Sequence, residues 1–247
     1  MTDTRPPAMF VADARGLDFL NSFAIPGDAA VEWLGSGAAL LDWLEAAGWA
    51  DRPALDELRA TATPSALDAV ASQARALREW LRGFVQRHGG RPLTRAAMAE
   101  LVPLNQLLAR DEEFTQFVAR AEDGGDEGGT ALTLVSRRRW RSPDALLLPI
   151  AKAIAELAAR ADFTDVKKCE SPTCVLHFLD TTRGRRRRWC SMAACGNRAK
   201  QAAHRERVAT RWKPLPDDAP SGAGRGCHPA PPLTRDADTT PPSPAAG

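Results

Sequence analysis

Four of the five cysteines lie within one short stretch, as Cys169, Cys174, Cys190 and Cys195, in the order C-x4-C, fifteen residues, C-x4-C. Nothing in the sequence constrains the fold more. Clustered thiols in a chain without a recognisable secretory leader point to metal rather than to disulfides. Two close pairs on either side of a hairpin-sized spacer can converge, and four thiolates match the closed tetrahedral coordination of structural zinc. About 45 residues with so few large apolar side chains need such a staple. His177, three residues past Cys174, is the less fitting substitute ligand. With four thiolates engaged and no C-x-x-C, redox chemistry is not expected. A closed site has no open position for substrate, so the metal is structural.

The spacing also suggests a local layout. The Ser-Pro-Thr turn between Cys169 and Cys174 suits a metal-holding knuckle. Leu176–Leu179 and Arg186–Trp189 read as the arms of a hairpin turning near Thr182-Arg183-Gly184. From Cys195 the pattern is helical to about Trp212, and amide N–H groups at that helix start favour a thiolate. Knuckle, hairpin and helix together form a treble-clef-like unit over residues 167–213.

The remainder is mainly α. Apolar residues make up 44% of the 247, enough for a buried core. Ser36 caps a helix reaching about Ala47, with Gly48 as its stop. Thr63 and Pro64 start a longer one to His88, whose apolar stripe is Leu67, Val70, Ala74, Leu77, Leu81 and Phe84. Arg75, Arg78, Glu79 and Arg82 fall elsewhere around it. A third covers Thr94–Arg110, kinked or split at Pro103, and Ser142-Pro143 opens a fourth to about Ala161. Glu122–Gly129 is a glycine-rich turn, and Ala131–Val135 supplies a strand for a small β-hairpin. Residues 10–162 thus read as a helical N-terminal domain. Nine prolines in residues 214–247 make a disordered tail, in which Cys227-His228 is incidental.

Charge separates these parts. Residues 167–213 carry 13 basic and 3 acidic side chains, net +10, against −6 for residues 1–166. A rigid basic scaffold suggests an anionic partner, with phosphates giving affinity and planar donors reading base edges. The candidate nucleic-acid contacts are Arg185, Arg186, Arg187 and Arg188 on the hairpin, with Arg198, Lys200, Gln201 and Arg205 on the helix. Trp189 is expected to pack against that helix. No H-E-x-x-H, G-x-x-x-x-G-K or G-x-S-x-G occurs, so no enzyme is expected. No apolar run reaches the roughly 20 residues of a membrane span; the expectation is a soluble, cytoplasmic protein.

The stretch Arg187–Lys200, R-R-W-C-S-M-A-A-C-G-N-R-A-K, together with Cys169, Cys174 and Phe178-Leu179-Asp180-Thr181, resembles the CGNR zinc-finger family. Gly16-Leu17-Asp18-Phe19-Leu20-Asn21-Ser22 is similar to the opening of the ABATE domain that precedes this finger. Leu104–Leu108 and Ala145–Ile154 also resemble that domain. The resemblance implies a bacterial-type, stress-induced transcription regulator with duplex DNA as partner. Within the C-G-N-R tetrapeptide Asn197 and Arg198 are candidates to brace the zinc site, Asn197 by bonding a thiolate or a loop carbonyl, with phosphate contact the equal alternative for Arg198. Val175 departs from the family, where glycine often follows the second cysteine and permits a left-handed turn. The acidic domain is then left to sense a small-molecule effector or to dimerise, with Trp33, Trp43, Trp49, Trp80 and Trp140 as candidate pocket walls. The alternative reading is an RNA- or protein-binding adaptor whose finger is a rigid platform.

Overall fold

The computed structural model describes residues 5–26, 29–119 and 132–211. The expected turn at Glu122–Gly129, the tail 214–247 and Cys227-His228 lie outside these residues. A short helix α1 (Arg15–Leu20) leads into a minimal antiparallel pair, β1 (Phe23–Ala24) with β2 (Val31–Glu32). Helix α2 (Gly37–Ala46) starts where the Ser36 hydroxyl accepts the Ala39 N–H at 3.2 Å. It stops where the N–H of Gly48 reaches Glu45 O and that of Trp49 reaches Leu44 O. This paired closure requires the left-handed backbone of Gly48, at φ 65°.

Helix α3 (Arg52–Thr61) follows, with Leu55 and Leu58 buried. Helix α4 (Pro64–His88) begins as its sequence predicts, the Thr63 side chain accepting the Ala66 N–H. Its stripe holds at Leu67, Val70, Ala74, Leu81 and Phe84 but shifts at one turn. Leu77 is only partly buried, whereas Arg78, expected off the stripe, is 3% exposed. The physical reason is Glu32, whose two carboxylate oxygens accept from Arg78 at 2.7 and 2.6 Å, while Ser22 Oγ accepts at 3.1 Å. Burial alone would raise the Glu32 pKa; hydrogen bonding and charge from Arg78 outweigh it and hold the pKa below the ordinary value. Helices α2 and α4 cross at Gly37, where a Cβ would lie 2.3 Å from Leu67 Cβ.

The expected helix over Thr94–Arg110 is split into a 3₁₀ turn (Arg95–Ala99) and α5 (Val102–Leu108). The predicted strand is present as β4 (Leu132–Arg138), antiparallel to β3 (Glu113–Ala119). A 3₁₀ turn at Pro143–Leu146 runs into α6 (Leu147–Arg160). Helix α6 receives α1 and α5, while α2 and α4 close the other side. Trp33, Trp43 and Trp49 are buried in this core and Trp80 and Trp140 pack against it; of the five, Trp49 and Trp140 border a common cleft.

Composition and charge divide the sequence near residue 162, but the packing does not divide there. Strand β5 (Val166–Lys168) pairs antiparallel with β6 (His177–Leu179). Phe163, Val166, Leu176, Phe178 and all four clustered cysteines belong to the same apolar core as Leu17, Phe19 and Ile154. Residues up to Glu206 form one compact unit. The helical body and the finger therefore share one core.

Candidate metal centre and adjoining basic surface

Cys169 and Cys174 sit on the connection between β5 and β6. The Cys169 N–H donates to Leu176 O at 2.9 Å and the Cys174 N–H to Ser171 O at 3.0 Å, which closes the knuckle. Val175 needs no left-handed conformation here; among the described non-glycine residues only Asp13 and Arg185 have positive φ. The second pair is set by a π-helical turn, Met192–Gly196, with the N–H groups of Cys195 and Gly196 both donating to Ser191 O at 3.0 Å. Helix α7 (Asn197–Arg211) begins immediately afterwards.

The chain folding this way brings the four sulfurs within 4.8 Å of one another, and all four cysteines are buried. Cys174 Sγ lies 3.8 Å from Cys190 Sγ, which lies 3.6 Å from Cys195 Sγ. Sulfurs about 2.3 Å from a tetrahedral zinc stand about 3.8 Å apart, so the donor set fits that ion. His177 is not among the converging groups. Hydrogen bonding from Cys190 draws the Cys174 thiol down to about 5. That contact and burial push Cys190 upward, and burial foremost pushes Cys195 up to about 11. So many thiols this close cannot all ionise unaided; a divalent cation resolves the conflict. The Cys190 N–H, 3.4 Å from Cys169 Sγ, adds a donor that favours thiolate.

The expected hairpin partner is corrected. Arg186–Trp189 is not a strand; β6 pairs backward with β5, because both bracket the knuckle. The arginine loop is organised instead by Asp180, which is fully buried. Burial would raise its pKa, but donation from Lys167 Nζ (2.7 Å), the Thr182 hydroxyl and the N–H groups of Arg187 and Thr182 holds it well below the carboxylate range. An acid between an apolar strand and an arginine run was the sequence signal for this role.

The eight expected nucleic-acid residues separate into two groups. Arg187 is taken up by the fold, which corrects its reading as a surface contact. Its guanidinium pairs with Asp13, donates to Val11 O at 2.7 Å and Trp189 O at 3.0 Å, bonds Cys190 O, and lies 4.3 Å from the Phe178 ring centre. Arg185 pairs with Asp165 at 3.2 Å, and Arg188 with Glu170 at 2.6 Å while covering Trp189. Arg198 reaches Pro26 O at 3.4 Å. Arg186, Lys200, Gln201 and Arg205 are exposed and have no side-chain partner among the described residues. Asn197 is exposed as well and makes no side-chain hydrogen bond among the described residues, whereas Arg187 bonds Trp189 O and Cys190 O and so braces the zinc loop. Trp189 is partly buried and packs against the core.

Two family models match the chain: the ABATE domain, described as “Putative stress-induced transcription regulator”, over residues 13–161, and the CGNR zinc finger over residues 166–208. No curated protein matches. The finger match and the sulfur cluster agree on one structural zinc held by Cys169, Cys174, Cys190 and Cys195. Among the described residues no helix is long and apolar enough to cross a membrane.

Proposed function

This chain belongs to the ABATE family of transcription regulators and carries a CGNR zinc finger, and we propose that it regulates transcription by binding duplex DNA through that finger. The observation that carries the reading is the exposed set Arg186, Lys200, Gln201 and Arg205, beside Arg183, with no carboxylate among the described residues neutralising any of them. The zinc site fixes the start of α7, so these donors are presented from a rigid base. Arg and Lys supply phosphate contacts, and Arg198, Gln201 and Arg205 share a helix face with planar donors suited to base edges. Aromatic platforms for stacking single-stranded bases are lacking on α7, which favours duplex DNA over RNA. The acidic body holds this surface and supplies the sensing or dimerising part.

The test is fluorescence anisotropy of the full-length, zinc-loaded protein on duplex DNA across a salt series. Four or five phosphate contacts give a log–log slope of about −4, since each contributes about −0.9. A flat slope, or tighter binding to structured RNA, sinks the reading.

A further inference from the structure

Helix α4, the β1–β2 pair and the β5–β6 knuckle border a solvent-open cavity of about 530 Å³, within the size range of small-molecule sites. Arg78, Arg82 and Lys168 line it against Glu32 and Glu79, leaving one positive charge in surplus. Both carboxylates are already engaged, Glu32 by Arg78 at 2.6 Å and Glu79 by Arg78 and Arg82 at 3.1 and 3.0 Å. Lys168 and Gln86 have no side-chain hydrogen-bond or ion-pair partner among the described residues.

His177 completes the wall. It is 7% exposed, and its Nδ1 is buried with no hydrogen bond of good geometry, although the Val175 backbone lies near enough to favour the charged ring slightly. Burial first, then the charges of Arg82 and Lys168, push its pKa down to about 4, so the ring is neutral near pH 7. Its single proton can reside on either nitrogen. Phe23 and Val175 supply apolar surface. The larger cleft between α3, α6 and the β3–β4 hairpin, about 760 Å³, lacks this bias, because Arg15, Arg137, Arg138 and Lys152 are matched in number by Asp51, Glu57, Glu113 and Glu156.

We propose that the cavity is a binding site for a small organic monocarboxylate, its carboxylate held by Lys168 and Gln86 beside His177 and its apolar body against Phe23 and Val175. A single surplus positive charge matches one negative charge. A phosphate dianion would face Glu32 and Glu79 without enough compensation, and a cation would leave Lys168 unmatched. Lys168 directly precedes Cys169 and Val175 directly follows Cys174, so the occupant touches both ends of the zinc knuckle together with α4.

Full-length zinc-loaded protein is titrated with 4-fluorobenzoate, followed by fluorine NMR, and with octanoate by calorimetry. Saturable binding of at least one at a single site is expected. Lys168→Gln, a change at an exposed side chain, weakens it about tenfold by removing a charge-assisted hydrogen bond. Val175→Phe, which puts a ring where the apolar body would lie, weakens it at least about tenfold in protein that retains its zinc. The proposal is overturned if neither carboxylate binds, if both variants bind as tightly as the parent, or if inorganic phosphate or 4-fluorobenzylamine binds more tightly. No DNA enters the assay, so its failure is distinct from failure of the DNA reading.

Discussion

Asn21 and His177, 156 positions apart, are joined by two hydrogen bonds: Asn21 Nδ2 donates to His177 O at 2.8 Å, and His177 N donates to Asn21 Oδ1 at 3.0 Å. One side-chain amide thus substitutes for a neighbouring strand on β6, and both residues are buried. Asn21→Ala leaves a buried N–H and a buried C=O unmet, at about 1–3 kcal/mol each. We expect a loss of about 2–4 kcal/mol, measured as a lower urea midpoint with an unchanged slope. Asn21→Asp restores only the accepting half and is expected to fall short of the parent.

Because the cysteines share the core with α1 and α6, metal removal reaches the whole unit. Elemental analysis is expected to find one zinc per chain, lost in Cys190→Ser and Cys195→Ser. Chelation is expected to lower a single thermal transition seen alike by far-ultraviolet and tryptophan signals. A helical body that melts unchanged after zinc loss contradicts this.

Neighbouring arginines are expected to behave oppositely. Arg187→Ala removes contacts to Val11, Asp13, Trp189 and Cys190 and lowers stability by about 3 kcal/mol, as for other buried charge-assisted networks. Arg186→Ala leaves the melting temperature unchanged and makes the DNA salt slope shallower by about 1. Paired thermal melts and anisotropy titrations separate the two.

Asp18 carries a pH dependence. Burial raises its carboxyl to about 6, partly countered by hydrogen bonds from the backbone of Ala12 and Val11. A folded pKa above the unfolded value of about 3.9 means its favourable contribution is complete below about pH 4 and lost as pH rises through 6. Asp18→Asn, which keeps the acceptor for Ala12 N–H, is expected to be more stable than the parent at pH 7.5. The gain is on the order of 1 kcal/mol once screening of a partly exposed group is allowed for. It shrinks below pH 6 and vanishes near pH 4, read by urea midpoints across that range.

The elements legible in the sequence are those whose signals are local. Ser36, Thr63-Pro64 and Gly48 mark helix ends through their own backbone requirements, and cysteine spacing marks the knuckle. What escaped depends on distant partners. Arg78 is polar by composition yet buried, because Glu32 stands opposite it. Five arginines between 183 and 188 look alike in the sequence, and only Asp13 and Phe178 single out Arg187. The pairing of β6 with β5 was hidden because three residues, Val166–Lys168, carry too little pattern to register as a strand. The six-residue α1 carries equally little pattern; the ten-residue α3 is as long as α2 but buries only Leu55 and Leu58, too thin a stripe to stand out.

The backbone of Leu179 donates to Ala12 O at 2.8 Å, next to the bonds from Asn21. During synthesis, the helical body therefore emerges with one seam open, since the segment that closes it is made some 160 residues later. Until that segment arrives and captures its ion, the exposed seam is a substrate for proteases and chaperones. Closure of the seam and capture of the ion are therefore expected to coincide, so the last segment made completes both the core and the metal site.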